Sequence, residues 1–499
     1  MKSSTKEPAA IVVLTRATNY KQWRPVAGRA TAAAMALAVA ACASVPEGRQ
    51  ILLPDLPKNA EANSPSVREH QRVLSAYGGA YEEPRLHAKL TSIVSRLVAA
   101  SDRPDLSYKI TILNSPAVNA FALPNGQLYV TRGLLGLAND SAEFASVMSH
   151  EMAHVIARHA ATREEQARKT EMISNVNGVL SDSQVGAMAL ARSKIALASF
   201  SRAQEFEADA IGVGIAARAG FDPFGASRLL ASMGRNAEQY AASHGGDARS
   251  LDFLSSHPAT PERVKNAEDS ARQVTAPRAH RDKAAYLASI DGMAYGEDPA
   301  DGFVRGRLFV HPKLGFSFMA PEGFALDNTT QAVLGTKEGT GEALRLDVVK
   351  VPSEQSLIEY INSGWIENIE NGSVEELTVN GVPAATATAT GNQWAFRLYV
   401  VRFGGEVYRF IFAAKDRTPE ADRAFRESIQ TFRRLSSQET RSIRPLRIKI
   451  VKVQPGDTVE SLATRMAPFV HQVERFQVLN GLEPDEQLKT GDLVKIVVE

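Results

Sequence analysis

Residues 149–154 read Ser149-His150-Glu151-Met152-Ala153-His154. On a helix the two imidazoles stand one turn apart on the same face, where both reach a single ion, and Glu151 flanks the same cavity. The preceding turns carry Phe144, Val147 and Met148 at i, i+3 and i+4, so a helix with a buried face is expected from about Ser141 to Ala161. Two histidines and an acid beside such a face are costly without a partner. The partner that this spacing names is a metal ion.

Two ligands leave a zinc ion underbound, so a third side chain is needed and a fourth position stays open for water. The long HExxH extension of metzincins would need glycine at 157 and histidine at 160, where this chain has Ala157 and Ala160. His159 lies about 180° around the helix from His150 at 100° per residue, and is read as a capping or packing residue. The better candidate lies in Ser201-Arg202-Ala203-Gln204-Glu205-Phe206-Glu207-Ala208-Asp209. There Glu205 and Asp209 share a helix face at i, i+4. Glu205 becomes the third ligand, and Asp209 an acceptor that orients a ligand imidazole through its far N–H.

Working outward, Leu86, Leu90, Ile93, Val94, Leu97 and Val98 recur at helical spacing, which predicts an amphipathic helix over 83–100. A strand is expected from Tyr108 to Leu113. A second extended run, Asn119 to Leu123, is closed by Pro124-Asn125-Gly126 and followed by Gln127 to Thr131, a hairpin-like sheet edge. Residues 162–198 are weakly periodic and suit a helical lid, and helices near 199–219, 223–234 and 261–276 complete a mainly helical domain. From Gly302 to about Leu435 the texture turns β-rich and ends in a helix at Pro419 to Phe432, an α+β second domain. It shows no cluster of chemistry and reads as a spacer or partner-binding surface. Ser436 to Arg444 is linker-like, and Leu446 to Glu499 has strand, helix, helix, strand character.

At 499 residues with 44% hydrophobic and 23% charged content, the chain exceeds the size at which one core usually keeps growing, so two or three domains are expected. Residues 1–41 hold Lys2, Lys6, Arg16, Lys21, Arg24 and Arg29 against Glu7, so their removal takes the formal charge from +1 to −4. A mildly acidic body with no long basic run has no electrostatic footprint for nucleic acid. The apolar run Ala30 to Ala41 follows that basic segment and ends in small residues, the order of a secretory signal, and is too short to span a bilayer. The single cysteine, Cys42, follows Val39-Ala40-Ala41, which resembles a lipobox. Lipidation of Cys42 and, with Ala43 rather than aspartate next, anchoring at an outer membrane are the expectation.

Four stretches in order, His150-Glu151-Met152-Ala153-His154, the segment from Ser201 to Gly212 with its Glu205 and Asp209, the upstream Asn119-Ala120-Phe121-Ala122-Leu123-Pro124-Asn125-Gly126 and the later Ser255 to Val264 segment, resemble metallopeptidase family 48 over roughly residues 65–275. The resemblance implies a gluzincin-type zinc site of one Zn2+ per chain held by His150, His154 and Glu205, with Glu151 as general base. It implies that Asn119, Ala120, Phe121 and Ala122 lie on the edge strand that binds substrate by β-addition. It also places His257 and Arg263 in a loop over the metal, where His257 either steadies the oxyanion or latches the open position.

At the other end, Val453-Gln454-Pro455-Gly456-Asp457-Thr458, Leu479-Asn480-Gly481-Leu482 and Leu488-Lys489-Thr490-Gly491-Asp492 resemble a LysM module, which implies binding of N-acetylglucosamine-containing glycans such as peptidoglycan.

The expected fold is therefore multidomain: an export leader at 1–41, a tether at 42–64, a mainly α zincin-like domain with a small β edge at 65–280, a linker at 281–301, an α+β domain at 302–435, a linker at 436–445 and a small βααβ LysM-like domain at 446–499. The expected function is that of a lipid-anchored periplasmic zinc endopeptidase acting on misfolded or misassembled envelope proteins, the substrate class being what the resemblance implies. Two rivals of other classes are a chaperone-like assembly factor whose zinc site is latched by His257, and a peptidoglycan-processing zinc hydrolase.

Overall fold

A proline in its first turn starts α1 (Pro65–Ala76) and α2 (Pro84–Ala100) alike, since the missing N–H costs nothing there. Leu86, Leu90, Ile93, Val94 and Leu97 of α2 are all buried, the face that the helical spacing marks. The structure is a computed structural model that describes residues 64–499 apart from residues 164, 166–199, 245–252, 259, 277–278, 330–331, 338, 392–393, 416 and 470. The expected leader, Cys42, nearly all of the tether and most of the 162–198 segment lie outside the described residues. Everything described belongs to one unit, Asn59–Glu499.

Three strands follow: β1 (Lys109–Leu113), β2 (Ala120–Ala122) and β3 (Gln127–Thr131), in the order β1-β3-β2, with β1 parallel and β2 antiparallel to β3. The turn between β2 and β3 needs Gly126. Its φ is +85°, and a Cβ there would stand 2.2 Å from the Ser107 carbonyl oxygen. β2 is left at the edge of this sheet.

Thr131 caps α3 (Arg132–Leu137) and Asp140 caps α4 (Ser141–Ile156), each accepting the N–H of the third helical residue. Every residue of α4 from Ser141 to His154 is buried. Against it lies α5 (Arg202–Arg218), started by a Ser201–Gln204 capping box. Gly212 lets the two backbones meet: a Cβ there would stand 3.0 Å from the His150 nitrogen. The layer is completed by α6 (Gly225–His244), α7 (Phe253–Ser256), α8 (Pro261–Gln273) and α9 (Lys283–Ile290). The short α7 has no counterpart among the expected helices. In α9, inside the stretch read as a linker, Tyr286, Leu287 and Ile290 are fully buried in the core that holds α2 and α4.

The β-rich part comprises β4 (Phe303–Arg305), β5 (Leu308–His311), β6 (Phe316–Met319), β7 (Phe324–Asn328), β8 (Val333–Lys337), β9 (Glu342–Val349), α10 (Leu357–Ile361), β10 (Glu375–Val379), β11 (Val382–Gly391), β12 (Trp394–Phe403), β13 (Glu406–Ala414), α11 (Pro419–Gln430) and β14 (Arg433–Arg434). Seven strands form one antiparallel sheet, β10-β11-β12-β13-β9-β8-β7, and four a second, β14-β6-β5-β4. Phe316, Phe318, Phe410, Phe412 and Phe432 join them in a core separate from that of the helices.

After a short helix α12 (Ser437–Ser442), the chain ends in β15 (Arg447–Lys452), α13 (Val459–Ala463), α14 (Gln472–Asn480) and β16 (Leu493–Val498), with β15 and β16 antiparallel. This last unit is built into the helical layer: Ile448 and Val478 belong to the helical core. Lys495, fully buried, donates to the carbonyls of Gly136, Leu137 and Ala138 at the end of α3 at 2.7, 3.0 and 2.9 Å. Three carbonyl acceptors require three N–H donors, which only the ammonium form supplies, and cationic charge there suits the carbonyl end of a helix.

Candidate metal centre

α4 and α5, held at backbone contact by Gly212, bring three of the expected ligands together, and the loop after α7 adds a fourth group. Ligand atoms of His150, His154, Glu205 and His257 all lie within 4.8 Å of one another, and all four residues are buried. His150 Nε2 is 3.0 Å from His154 Nε2 and 3.7 Å from Glu205 Oε2, and His154 Nε2 is 3.6 Å from Glu205 Oε1. His257 Nδ1 stands 2.9 Å from Glu205 Oε1 and 3.4 Å from His150 Nε2. Imidazole nitrogens aimed at one another and at one carboxylate are poorly satisfied by their own hydrogens, and nitrogen-rich donors with one carboxylate fit a borderline transition metal better than Ca2+ or Mg2+. The residues therefore fit a metal ion.

The electrostatics agree. Burial holds the His150 and His154 imidazoles below their usual range and His257 at about 3, so all three present neutral nitrogens. Burial raises the Glu205 carboxyl, against the pull of His150 and Arg263. Burial, then the nearby Glu205 charge, push Glu151 well above the ordinary carboxylate range.

Around the ligands stands a charged frame. Arg263, fully buried at the start of α8, donates Nε and Nη2 to both oxygens of Asp209 at 2.8 and 2.7 Å, and its Nη1 is 2.7 Å from Glu205 Oε2. Nη1 also donates to the carbonyls of His257 and Pro258 at 3.2 Å, which fixes the loop carrying His257. Burial alone would raise Asp209, but the bonds from Arg263 and His150 hold it down at about 2. His150 Nδ1 lies 2.9 Å from Asp209 Oδ1. The structure thus puts Asp209 behind His150, where spacing named no particular imidazole, and Arg263 behind both Asp209 and Glu205.

Of the edge-strand residues, Ala122 reaches the site: its N–H donates to Glu151 Oε2 at 3.2 Å. Asn119 gives its backbone to the sheet, with its N–H on Thr131 Oγ1 and its carbonyl accepting from the Thr131 N–H. Leu123 likewise bonds to Gln127, so by alternation Ala120 and Ala122 turn their backbone groups away from β3, Ala120 being fully buried there. Phe121 stacks on Tyr129 at 4.9 Å and lies 5.5 Å from Tyr77, away from the metal centre.

Three residues that sequence reasoning did not place at the site lie against it. Phe200 stacks on His154 with ring centroids 4.0 Å apart, and Phe253 stacks on His257 at 4.4 Å. His159 puts its Nδ1 2.9 Å from His154 Nδ1. Helical extrapolation sends His159 to the far side, but α4 ends at Ile156 and Arg158 takes a left-handed φ of +57°, which returns the chain.

Residues 84–271 match the model of Peptidase family M48. Among curated relatives, a mitochondrial metalloendopeptidase OMA1 of Schizosaccharomyces pombe is 29% identical over 204 residues, 40% of this chain and 58% of that one. The protein of the same name in Arabidopsis thaliana is 36% identical over 168 residues, 34% of this chain and 32% of its own. A beta-barrel assembly-enhancing protease of Escherichia coli (strain K12) is 26% identical over 238 residues, 44% of this chain and 47% of its own. The chain thus spans between a third and three-fifths of the length of these relatives. The match encloses both helices that carry the candidate ligands, the edge strand and Arg263, so the whole candidate site lies in the part of the chain that resembles peptidase family M48.

Proposed function

We propose that the chain is a zinc-dependent endopeptidase that hydrolyses misfolded or misassembled envelope proteins in the periplasm, anchored to the outer membrane through a lipid on Cys42. The observation that carries the catalytic part is the convergence of His150, His154 and Glu205 beside Glu151 and the edge strand β2. When bound, zinc supplies a water acidified toward neutrality and an electrophile for the peptide carbonyl.

This chain's own residues do the rest. The edge of β2 is where an extended substrate would add, at the Ala122 carbonyl, since Ala120 is fully buried and the Ala122 N–H is held by Glu151. Glu151, anchored on one oxygen by the Ala122 N–H, takes the proton of the attacking water on its carboxylate and returns it to the leaving amine. Asp209 orients His150, and Arg263 holds Asp209 and Glu205 in place. His257 sits among the ligand atoms, which supports the latch over the oxyanion role and favours a second reading in which the resting protein is closed and chaperone-like.

The substrate class and compartment are supported by the leader-like residues 1–41 and by relatives named beta-barrel assembly-enhancing proteases. The βααβ order of residues 447–498 supports a LysM-like module and with it contact with peptidoglycan.

The test is elemental analysis and casein cleavage by the detergent-solubilised chain, wild type against Glu151→Gln. One zinc in both with cleavage reduced about 10²–10⁴-fold in the variant is expected. No zinc in either overturns the proposal, and rescue of a deletion strain by Glu151→Gln would favour the chaperone-like reading.

A further inference from the structure

We propose that His159 is the positioning residue for the metal ligand His154, and that Glu207 fixes the tautomer in which His159 acts. The inference rests on the metal reading of the site and extends it to residues outside the ligand set.

The hydrogen-bond polarity runs one way. His154 turns Nε2 toward the cluster, 3.0 Å from His150 Nε2 and 3.6 Å from Glu205 Oε1. A ligand nitrogen needs its lone pair there, so the His154 proton sits on Nδ1. Nδ1–H then donates to His159 Nδ1 at 2.9 Å, which must be bare of hydrogen. The His159 proton is thereby placed on Nε2, which faces Glu207 Oε2 at 3.3 Å. Each ring leaves only one choice to the next, and the carboxylate at the end closes the chain.

The same task is done for the other imidazole by Asp209, 2.9 Å from His150 Nδ1. Both ligand rings thus have an acceptor on their far side, which sets ring orientation and raises ligand basicity. Both acceptor routes end on α5: Glu205 ligates, Asp209 serves His150 directly, and Glu207 serves His154 through His159. The reach differs because the side chain of Glu207 is 58% exposed while that of His159 is 5% exposed. A second imidazole carries the contact from the rim to the buried ligand.

Packing around His154 is supplied separately by Phe200, stacked at 4.0 Å, so volume and hydrogen bonding can be told apart. His159→Phe keeps an aromatic ring and removes the acceptor. His159→Gln restores an acceptor oxygen. Glu207→Ala changes only the exposed rim, and remains informative if the core variants fail to fold.

The measurements are zinc affinity, by competition with a chromophoric chelator, and the visible spectrum of the cobalt-loaded full-length protein. His159→Phe is expected to bind zinc about 10–100-fold more weakly with an altered cobalt spectrum, His159→Gln to recover most of that loss, and Glu207→Ala to lose severalfold. Binding within about twofold of wild type for His159→Phe and Glu207→Ala, with an unchanged spectrum, overturns the inference and leaves the metal site standing. A His159→Gln variant as weak as His159→Phe overturns it too, by showing that the ring and not its acceptor matters. Wild type that takes up neither metal overturns the metal reading itself.

Discussion

Replacing Arg263 with methionine keeps the length of the side chain and removes its charge, and the geometry around the guanidinium sets the cost. That group is 2% exposed and contacts the carboxylates of both Asp209 and Glu205. Its loss leaves two acids in a buried site, and breaking such a pair from one side costs about 3–5 kcal/mol. Glu205, already raised by burial, escapes part of that cost by taking a proton, which sets the expectation near 3 kcal/mol. Asp209, held down at about 2 by Arg263 and His150 against its burial, loses the larger of those two holds with the guanidinium and keeps only His150. Tryptophan emission would report the wrong region, because Trp23 lies in the leader-like stretch and Trp365 and Trp394 lie in the β-rich part. The assay is hydrogen exchange of peptides from α5 and α8 in the metal-free full-length chain. Exchange in Arg263→Met is expected to quicken by roughly 10²-fold, since each 1.4 kcal/mol is a factor of ten. Saturating zinc gives Glu205 another partner and should return part of the protection. Exchange within threefold of wild type would refute the counter-ion role.

Three further outcomes rest on the same geometry. His257→Ala removes the imidazole that stands among the ligand atoms, and casein cleavage should rise if that ring is a latch; a fall to background would assign it to the reaction instead. Treating wild type with a strong chelator should abolish cleavage and zinc should restore it, whereas chelator-resistant activity would detach catalysis from His150, His154 and Glu205. Lys495→Met strips three carbonyls at the end of α3 of their donor, and after relief of a buried charge a net loss of about 2 kcal/mol is expected. It should show as faster proteolytic release of the last unit, and unchanged cleavage kinetics would deny Lys495 its docking role.

The metal helix was legible because its signal is local. Histidines one turn apart and an apolar face on the preceding turns are properties of consecutive residues, and α4 follows from them whatever surrounds it. Glu205 and Asp209 were legible for the same reason, as neighbours on one helix face, and the buried face of α2 follows its period from Leu86 to Leu97, with Val98 half-buried beyond it. Periodicity also carried an error: extending α4 past Ile156 puts His159 on the wrong side, because a helix stop and a left-handed residue at Arg158 carry no weight in a projection at 100° per residue. The stretch 281–301 misled in the opposite sense, since α9 is too short for its buried face to stand out from a loop.

Sequence by itself determined the two helix faces that carry the candidate ligands, because His150 and His154 on one helix, and Glu205 and Asp209 on the other, each stand a single helical turn apart. Tertiary structure alone decided how those ligands are held. Arg263 meets Asp209 and Glu205 across 54 residues or more of chain, and Glu207 meets His159 across 48. Lys495 crosses about 360 residues to close α3. Such pairings bring charges together through the packing of separate elements, and no period within either segment encodes the partner in the other.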